Sequence, residues 1–378
     1  MRTNYKIEGT PNSPVLVLSN SLGSDMGMWD ELVPLLLPYF RVLRYDTRGH
    51  GRSIEPAHPH GPSLTIAQLG QDVVDLLDRL GIKNAYFCGL SMGGLIGQYL
   101  GIHHPERIKK LVLSNTAAKI GDAERWNSRI DTIAKQGLAA IVDETMERWF
   151  TTAFRHDNAT RVAETKAMFL RSDVQGYAQC CAAIRDADFR DQIPAIGVET
   201  LVVTGEEDPV TNVEHAAFLV KNIPKASLTI LKARHLSATE VPQAYAEALL
   251  DFLVGHTVFE RGMQVRRTVL GDAHVDKANA GINELNADFQ SFITKYAWGE
   301  IWTRPGLSKH NRSLVTIAML IALNRSAELK MHLKAAFNNG VSVEELKEVL
   351  LQSAIYCGLP AANEAFHVAA DFIQTMEP

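Results

Sequence analysis

The chain has 378 residues, of which 46% are hydrophobic and 21% charged, and its formal net charge is −5. One ordinary domain takes roughly 100–200 residues, so this length predicts two domains with globular composition. The acidic balance and the absence of a long Lys/Arg run argue against a nucleic-acid partner.

Targeting and redox signals are also missing from the sequence. It holds no stretch of about 18 uncharged apolar residues and no apolar core of a signal peptide near Met1, so we expect no membrane partner and a cytoplasmic location. The cysteines show neither a CxxC pair nor a zinc-ligand spacing. We therefore expect reduced thiols and no metal ion, the four cysteines being Cys88, Cys180, Cys181 and Cys357.

Strand and helix patterns alternate through the first third of the chain. Short apolar runs at residues 15–18, 41–45 and 84–88 predict buried strands, and another follows at 111–113. Apolar residues spaced by three or four predict a helix over residues 65–80. This alternation predicts a doubly wound parallel sheet.

The strand signal then disappears from about residue 117 to residue 194, where the pattern is helical. A helical insertion between two sheet strands predicts a cap over an active site. The sheet resumes at residues 200–204 and 228–231, and a last helix over about 241–254 closes a first domain of residues 1–255.

Residues 256–378 predict a second, smaller, all-α domain. The polar and basic residues 256–267 predict a linker, and glycines punctuate the helical patterns that follow. The predicted helices cover residues 281–298, 309–323, 326–338, 343–357 and 361–376.

A GLSMG motif at residues 89–93 lies between the strand at 84–88 and the start of a helix. A GxSxG motif in that position is the nucleophile elbow of the α/β-hydrolase fold, in which glycines permit the sharp turn that exposes the serine. The pattern therefore predicts Ser91 as a nucleophile, against the alternative of a serine in an ordinary tight turn.

In this fold the acid and the base follow the nucleophile in chain order, after later strands. Asp208 lies in the loop after the strand at 200–204, and we favour it over Glu206 and Glu207 because it directly precedes a proline at the loop tip. His235 follows the last strand and is the predicted base.

A tetrahedral intermediate also needs hydrogen-bond donors for its oxyanion. The backbone N–H of Met92, which follows the nucleophile, is one predicted donor. The second is expected in the loop after the strand at 15–18. We choose the N–H of Leu22, because Gly23 allows a close approach.

Three motifs together resemble the 3-oxoadipate enol-lactonases: SNSLG at residues 19–23, YDTRGHGRS at 45–53 and GLSMGG at 89–94. The second motif marks the wider superfamily, whereas Asn-Ser in the oxyanion loop is a narrower signal. The resemblance implies a small enol-lactone substrate that bears a carboxylate. Trp126 and Arg129 are candidates to hold that carboxylate, with cap packing or solvent exposure as the alternative.

Most of the second domain resembles the 4-carboxymuconolactone decarboxylases. The residues that carry the resemblance are RSLVTIAM at 312–319, ELKMH at 328–332 and QSAIYCGLPAAN at 352–363. Related alkylhydroperoxidase-like proteins place a CxxC just before the helical histidine. Residues 325–328 read RSAE instead, so that redox chemistry is not expected.

This second resemblance implies decarboxylation without a metal or organic cofactor. Arg312 suits a substrate carboxylate, and Glu328 and His332 lie one helical turn apart and suit an acid/base pair. The alternative is a surface arginine and a surface Glu–His pair. His310 and His367 are weaker candidates that we interpret as structural.

The two resemblances support each other, because the decarboxylase product is the lactonase substrate. We therefore expect a bifunctional enzyme that acts on small lactones bearing carboxylates and forms a homo-oligomer through its second domain. Two alternatives remain: an esterase of other specificity whose tail serves only oligomerisation, and a non-catalytic binding protein on a hydrolase fold.

Overall fold

The computed structural model describes residues 3–53, 64–255, 258–304 and 306–374. The chain divides into two compact units, Met1–Gly255 and His256–Pro378, which we call the N-terminal unit and the C-terminal unit. Among the described residues, no helix has both the length and the apolar character needed to cross a membrane.

The N-terminal unit is built on one seven-stranded sheet with strand order β1-β3-β2-β4-β5-β6-β7. All neighbouring pairs are parallel except β1 with β3. The strands are β1 (Tyr5–Glu8), β2 (Val15–Ser19), β3 (Arg41–Tyr45), β4 (Ala85–Leu90), β5 (Ile108–Ser114), β6 (Thr200–Gly205) and β7 (Ala226–Leu231).

The strand order reverses between β2 and β4, which pair in parallel with Ser19 opposite Gly89. In open α/β sheets this switch point leaves a crevice at the carboxyl ends of the strands. The loops that follow β2 and β4 are the predicted oxyanion loop and the predicted elbow. The topology alone therefore brings these two segments together.

The sequence pattern missed β1, which pairs antiparallel with β3 at the sheet edge, Tyr5 opposite Tyr45. Tyr5 and Lys6 of this strand are exposed, and Ile7 and Glu8 are only half-buried. An edge strand of four residues does not carry the continuous apolar run of a buried parallel strand.

Helices cover the sheet and build the cap. The predicted helix at 65–80 is confirmed and begins with a capping box, in which Thr65 and Gln68 bond each other's backbone N–H groups. The α-helices of this unit are α1 (Val33–Leu36), α2 (Ile66–Arg79), α3 (Met92–His103), α4 (Ala123–Gln136), α5 (Val142–Trp149), α6 (Thr152–Asp157), α7 (Ala159–Leu170), α8 (Val174–Asp186), α9 (Val213–Asn222), α10 (Ser237–Glu240) and α11 (Pro242–Val254).

The segment that sequence periodicity assigned to a cap is helical as expected. Helices α4–α8 lie between β5 and β6, the order that a cap insertion requires. Phe150 and Phe169 are fully buried in the same apolar cluster as the sheet residue Leu113. The cap is therefore packed onto the sheet domain and shares its core.

The described part of the C-terminal unit is helical, with no strand in it. Its elements are α12 (Val258–Leu270), α13 (Asp272–Ala280), α14 (Ala287–Ile293), a π-helical segment (Thr294–Ile301), α15 (Lys309–Ala322), α16 (Ser326–Asn338), α17 (Val343–Cys357) and α18 (Leu359–Gln374).

The prediction of a linker at residues 256–267 is wrong from Val258 onward, because α12 covers Val258–Leu270; residues 256 and 257 lie outside the described ranges. The helix buries Arg261 and Arg266 together with Val269. The sequence of its inner face therefore lacks the apolar spacing that predicts a buried helix. The helix also packs very closely: a Cβ on Gly262 would lie 2.0 Å from the carbonyl oxygen of Thr294. The two buried arginines thus give a core helix the composition of a solvent-exposed linker.

The helix predicted over residues 281–298 is only partly correct. Helix α14 begins at Ala287, and from Thr294 to Ile301 the backbone changes to a π-helix. Sequence periodicity assumes 3.6 residues per turn, so it does not register this change of pitch.

Candidate active sites

Ser91 lies at the turn between β4 and α3 with φ 59° and ψ −111°, a backbone conformation rare for a non-glycine residue. Its N–H donates to the carbonyl of Ser114 at 2.8 Å, which holds the turn against β5. A Cβ on Gly93 would lie 2.2 Å from the Ser19 carbonyl oxygen. The sequence therefore needs glycine at this position for the elbow to form.

The three predicted triad residues meet in space. His235 Nε2 lies 2.9 Å from Ser91 Oγ, and His235 Nδ1 lies 2.9 Å from Asp208 Oδ2. All three side chains are buried, and they are brought together from the ends of β4, β6 and β7. In this geometry Nδ1–H donates to the carboxylate and leaves Nε2 free to accept the serine proton.

The carboxylate of Asp208 is held in its charged form. Its Oδ2 accepts from Thr211 Oγ1 at 2.7 Å and from Asn115 Nδ2 at 3.0 Å, while its Oδ1 accepts the N–H of Val210 at 2.8 Å. Burial would raise the pKa of Asp208, but His235 and these donors outweigh it and lower the pKa to about 2. Asp208 is therefore ionised at neutral pH.

Asn115 is a residue of this site that sequence reasoning missed. It follows β5 with φ 42°, and its side-chain amide donates both to Asp208 and to the carbonyl of Arg234, at 3.2 Å. Its Oδ1 accepts from Ser237 Oγ at 2.5 Å. Asn115 thus ties the acid loop to the histidine loop. The one available signal was its position after a predicted strand.

The predicted oxyanion donors lie on the two segments joined at the switch point. Met92 is the first residue of α3, so its N–H has no acceptor within the helix. Leu22 lines the same cavity as Ser91 and precedes Gly23, whose φ is 80°. Gly93 N–H donates to the carbonyl of Asn20 at 3.1 Å, which joins the two segments directly.

The loop after β2 is braced by buried polar side chains. Asn20 accepts from Trp29 Nε1 and donates to the carbonyl of Tyr45, both at 2.8 Å. His50 Nε2 accepts the N–H of Gly23 at 2.9 Å, and burial lowers the pKa of His50 so that this nitrogen stays unprotonated. The YDTRGHGRS motif therefore supports the loop that carries Leu22.

A cavity of about 350 Å³ extends from Ser91 and His235 into the cap. The predicted residues Trp126 and Arg129 both line it. Trp126 Nε1 donates to the carbonyl of Ile120 at 2.7 Å, so its indole N–H is already used.

Arg129 is committed to the cap structure. Its Nε and Nη2 both donate to the hydroxyl of Tyr177, at 2.9 and 2.7 Å, and Nη2 also donates to Thr145 Oγ1 at 3.0 Å. Arg148, which the sequence reading missed, lines the same cavity and pairs with Glu144 at 3.2 Å. Burial and the nearby Arg129 lower the pKa of Arg148.

In the C-terminal unit, Glu328 and His332 lie on α16, one turn apart as expected. Glu328 is exposed, whereas His332 is half-buried and its Nδ1 makes no hydrogen bond with any described residue. Burial, followed by the neighbouring His274, lowers the pKa of His332, and Glu328 only partly opposes this shift. The imidazole of His332 is therefore neutral near pH 7.

Arg312 lies on α15 and donates from Nη2 to the carbonyl of Arg304 at 3.0 Å. Within the described ranges it makes no hydrogen bond or ion pair with Glu328 or His332. The weaker candidates lie elsewhere: His310 pairs with Glu345 at 3.1 Å, and His367 is exposed on α18. Over the same ranges, no group of three or more His, Cys, Asp or Glu side chains could hold a metal ion.

Comparison with known families covers both units. Residues 14–240 match the α/β hydrolase fold family, and residues 287–371 match the carboxymuconolactone decarboxylase family. The chain is an α/β hydrolase joined to a member of the carboxymuconolactone decarboxylase family.

Individual relatives match each unit separately. The 3-oxoadipate enol-lactonase 2 of Acinetobacter baylyi is 42% identical over 246 residues, which are 65% of this chain and 91% of the relative. The 4-carboxymuconolactone decarboxylase of the same organism is 52% identical over 118 residues, which are 31% of this chain and 88% of the relative. Each relative thus covers one of the two units.

Solved structures match the α/β hydrolase unit. The enol-lactonase from Burkholderia xenovorans LB400 has a TM-score of 0.64 and 41% identity, and covers 67% of this chain and 96% of its own. A hydrolase from Pseudomonas aeruginosa PA01 has a TM-score of 0.63 and 42% identity, and covers 66% of this chain and 93% of its own.

Proposed function

We propose that the chain catalyses two consecutive reactions. The C-terminal unit removes CO2 from 4-carboxymuconolactone and yields 3-oxoadipate enol-lactone, which the N-terminal unit hydrolyses to 3-oxoadipate. The hydrogen-bonded row of Ser91, His235 and Asp208 beneath an arginine-lined cap is the observation that carries the proposal. The two enzyme relatives, one for each unit, support it.

The triad geometry accounts for lactone opening. His235 Nε2 takes the proton of Ser91 as Oγ attacks the lactone carbonyl carbon, and Asp208 stabilises the resulting imidazolium. The ring C–O bond then breaks, and the departing enol oxygen is stabilised because it becomes a ketone when a proton returns to carbon. Water activated by His235 next attacks the acyl-enzyme, which releases 3-oxoadipate and restores Ser91.

The cap supplies the positive charge that a carboxylate substrate needs. Arg125, Arg129 and Arg148 line the cavity, against the single carboxylate of Glu144. Arg129 is held by hydrogen bonds to Tyr177 and Thr145, whereas Arg148 is paired with the exposed Glu144, a pair that an arriving carboxylate can replace. We therefore assign the substrate carboxylate to Arg148, with Arg129 as its support. An arriving anion also relieves the repulsion between the two guanidinium groups.

Replacement of Arg148 by methionine should raise KM for lactone opening by about 10–100-fold, the range expected when a hydrogen bond to a charged group is lost. kcat should change much less, because the carboxylate is bound in ground and transition states alike. Steady-state kinetics with 3-oxoadipate enol-lactone measures both constants.

Arg185→Met is the matched control, since Arg185 also belongs to the cap but pairs with Asp186 and Asn127. It should leave KM unchanged. If Arg148→Met has the same KM as Arg185→Met, Arg148 does not bind the substrate carboxylate.

Decarboxylation requires an electron sink and a proton. The bond from the lactone γ-carbon to the carboxylate breaks, CO2 leaves, and the electron pair delocalises into the lactone carbonyl as a dienolate. We assign proton delivery to the α-carbon to the pair Glu328 and His332, and a substrate carboxylate to Arg312. The unpaired Nδ1 of His332 supports this role.

We also propose that the C-terminal unit associates with further copies of the chain. Four large side chains of this unit are between 72% and 94% exposed, and three of them lie within five residues of chain where α17 meets α18, which provides apolar area for association. They are Leu285, Ile355, Tyr356 and Leu359.

Tyr356→Lys should lower the molar mass measured by light scattering, whereas Phe218→Lys, in the N-terminal unit, should not. A native chain with the molar mass of a monomer would contradict the proposed association.

One experiment tests the two-step function. The chain is supplied with 4-carboxymuconolactone alone, and CO2 and 3-oxoadipate are both measured. We expect equal amounts of the two products. CO2 without 3-oxoadipate would overturn the lactonase assignment, and the absence of CO2 would overturn the decarboxylase assignment.

A further inference from the structure

Glu240 is a buried acidic residue that the steps of lactone opening do not use. It is the last residue of α10 and is 8% exposed. Its Oε2 accepts the backbone N–H of Arg234 at 2.8 Å. Its Oε1 accepts the backbone N–H of Thr151 at 3.0 Å and also the hydroxyl of Thr151. Three donors therefore meet one carboxyl group, and none of the three is charged.

The contact with Arg234 places Glu240 beside the predicted base in the chain. Arg234 directly precedes His235, and we call residues 234–236 the histidine loop. Glu240 accepts from the N–H of Arg234, while Asn115 Nδ2 donates to the carbonyl of Arg234 at 3.2 Å. His235 thus follows a residue whose backbone N–H and carbonyl are both held by side chains.

The contact with Thr151 joins the histidine loop to the cap. Thr151 is the N-cap residue of α6, two residues after α5 ends at Trp149. The N–H of Leu236 donates to the carbonyl of Trp149 at 3.1 Å, so the histidine loop also meets the end of α5. Arg148, to which we assign the substrate carboxylate, lies in this last turn of α5. Glu240 therefore connects the segment that carries the base with the segment that carries Arg148.

The three donors require a carboxyl group at position 240. An ionised carboxyl group accepts hydrogen bonds at both oxygens, whereas a glutamine amide presents one accepting oxygen and one donating NH2 group. Two of the donors are on Thr151 and meet Oε1, and the N–H of Arg234 meets Oε2. An amide would keep its oxygen toward the two donors and turn its NH2 group toward Arg234. The histidine loop would then lose its acceptor, because two donors would face each other.

We propose that Glu240 is a positioning residue for lactone opening, which holds the histidine loop so that His235 Nε2 stays within reach of Ser91 Oγ. This inference rests on the proposed lactonase function. Proton transfer between these two atoms needs a separation of about 2.6–3.2 Å. The structure has 2.9 Å. A displacement of about 1 Å in a geometry of this kind costs about 10²-fold in rate. Glu240 acts through the backbone of Arg234 and takes no proton itself.

The test compares Glu240→Gln with Glu207→Gln in the full chain, by hydrolysis of 3-oxoadipate enol-lactone. Both variants exchange a carboxyl group for an amide near the histidine loop. Glu207 is exposed, and its backbone N–H donates to the carbonyl of Ala233, the residue before that loop, at 3.1 Å. Glu207→Gln keeps this backbone contact and should behave as the native chain.

For Glu240→Gln we expect kcat to fall about 10–100-fold, because His235 is displaced from Ser91. KM should stay within about threefold, because the amide oxygen keeps the contact with Thr151 and the cap keeps Arg148 in place.

Active-site titration separates positioning from a merely structural role. The amount of a fluorophosphonate that reacts to completion with Ser91 counts the folded sites, and kcat is expressed per counted site. A merely structural residue changes the number of sites and leaves the kcat of each site unchanged. Misplacement of His235 lowers the kcat of every site.

Thr151→Val and Thr151→Ser keep the test decisive if Glu240→Gln yields no countable sites. Valine removes the hydroxyl donor of Glu240 and serine retains it. Thr151→Val should lower kcat per site about 3–10-fold, the size of one net hydrogen bond. Thr151→Ser should keep the native kcat. Equal kcat values for these two variants would then overturn the inference.

The remaining outcomes distinguish this inference from the proposed function. If the native chain opens the lactone and Glu240→Gln retains the native kcat per site, the inference fails while the lactonase function stands. A rise in KM alone, or an equal fall in kcat for Glu207→Gln, also overturns it. A native chain that does not open the lactone overturns the lactonase function itself.

Discussion

Replacement of Ser91 by alanine should lower kcat for lactone opening by about 10⁶-fold, as for other serine triads. The reason is geometric: Ser91 Oγ lies 2.9 Å from His235 Nε2, on an elbow that places it at the cavity. A chromatographic assay of 3-oxoadipate formed from the enol-lactone measures the loss.

The same variant separates the two activities. Supplied with 4-carboxymuconolactone, Ser91→Ala should still release CO2 and should accumulate enol-lactone. Ser128→Ala is the matched control, because Ser128 lines the same cavity and, within the described residues, makes no hydrogen bond to His235. Its rate should be that of the native chain. Lactone hydrolysis by Ser91→Ala at more than a trace of the native rate would disprove the triad mechanism.

Replacement of His332 by glutamine should lower kcat for CO2 release by about 10²–10⁴-fold, the usual contribution of a general acid or base. The imidazole is neutral and half-buried, its Nδ1 makes no hydrogen bond to any described residue, and an amide cannot carry its proton. The initial rate of CO2 release is the measurement. Lactone opening by the same variant should be unchanged, which shows that the N-terminal unit is intact.

His367→Gln and His310→Gln are the controls for this experiment. His367 is exposed, and His310 is held by Glu345 at the start of α17. Neither change should affect CO2 release by more than about threefold, since within the described residues neither side chain forms a hydrogen bond or ion pair with His332. Equal effects of all three histidine changes would contradict a catalytic role for His332.

Features encoded in local backbone geometry could be predicted from the sequence. The elbow is one example, because its glycines are required within five residues of chain and leave little freedom for another turn. Asp208 and His235 were identified because chain order and strand ends place them, with no need to know any distance. The cap was identified from the loss of the strand pattern over about 80 residues.

Residues whose role depends on distant partners could not be identified in this way. Asn115 gains its function only because Asp208, 93 residues later, folds against it. Arg129 and Arg148 both line the cavity, and our proposed choice of Arg148 depends on Tyr177 and Thr145, which hold the guanidinium group of Arg129.

The sequence by itself indicated the two families and predicted the nucleophile, its acid and its base, because these predictions need only short motifs and strand order. Only the tertiary structure decided which charges are buried. Residues 256–267 have the composition of a solvated linker, yet packing against a π-helical segment places Arg266 in the interior. The free energy of a charge depends on the groups that surround it, and those groups come from segments far apart in the chain.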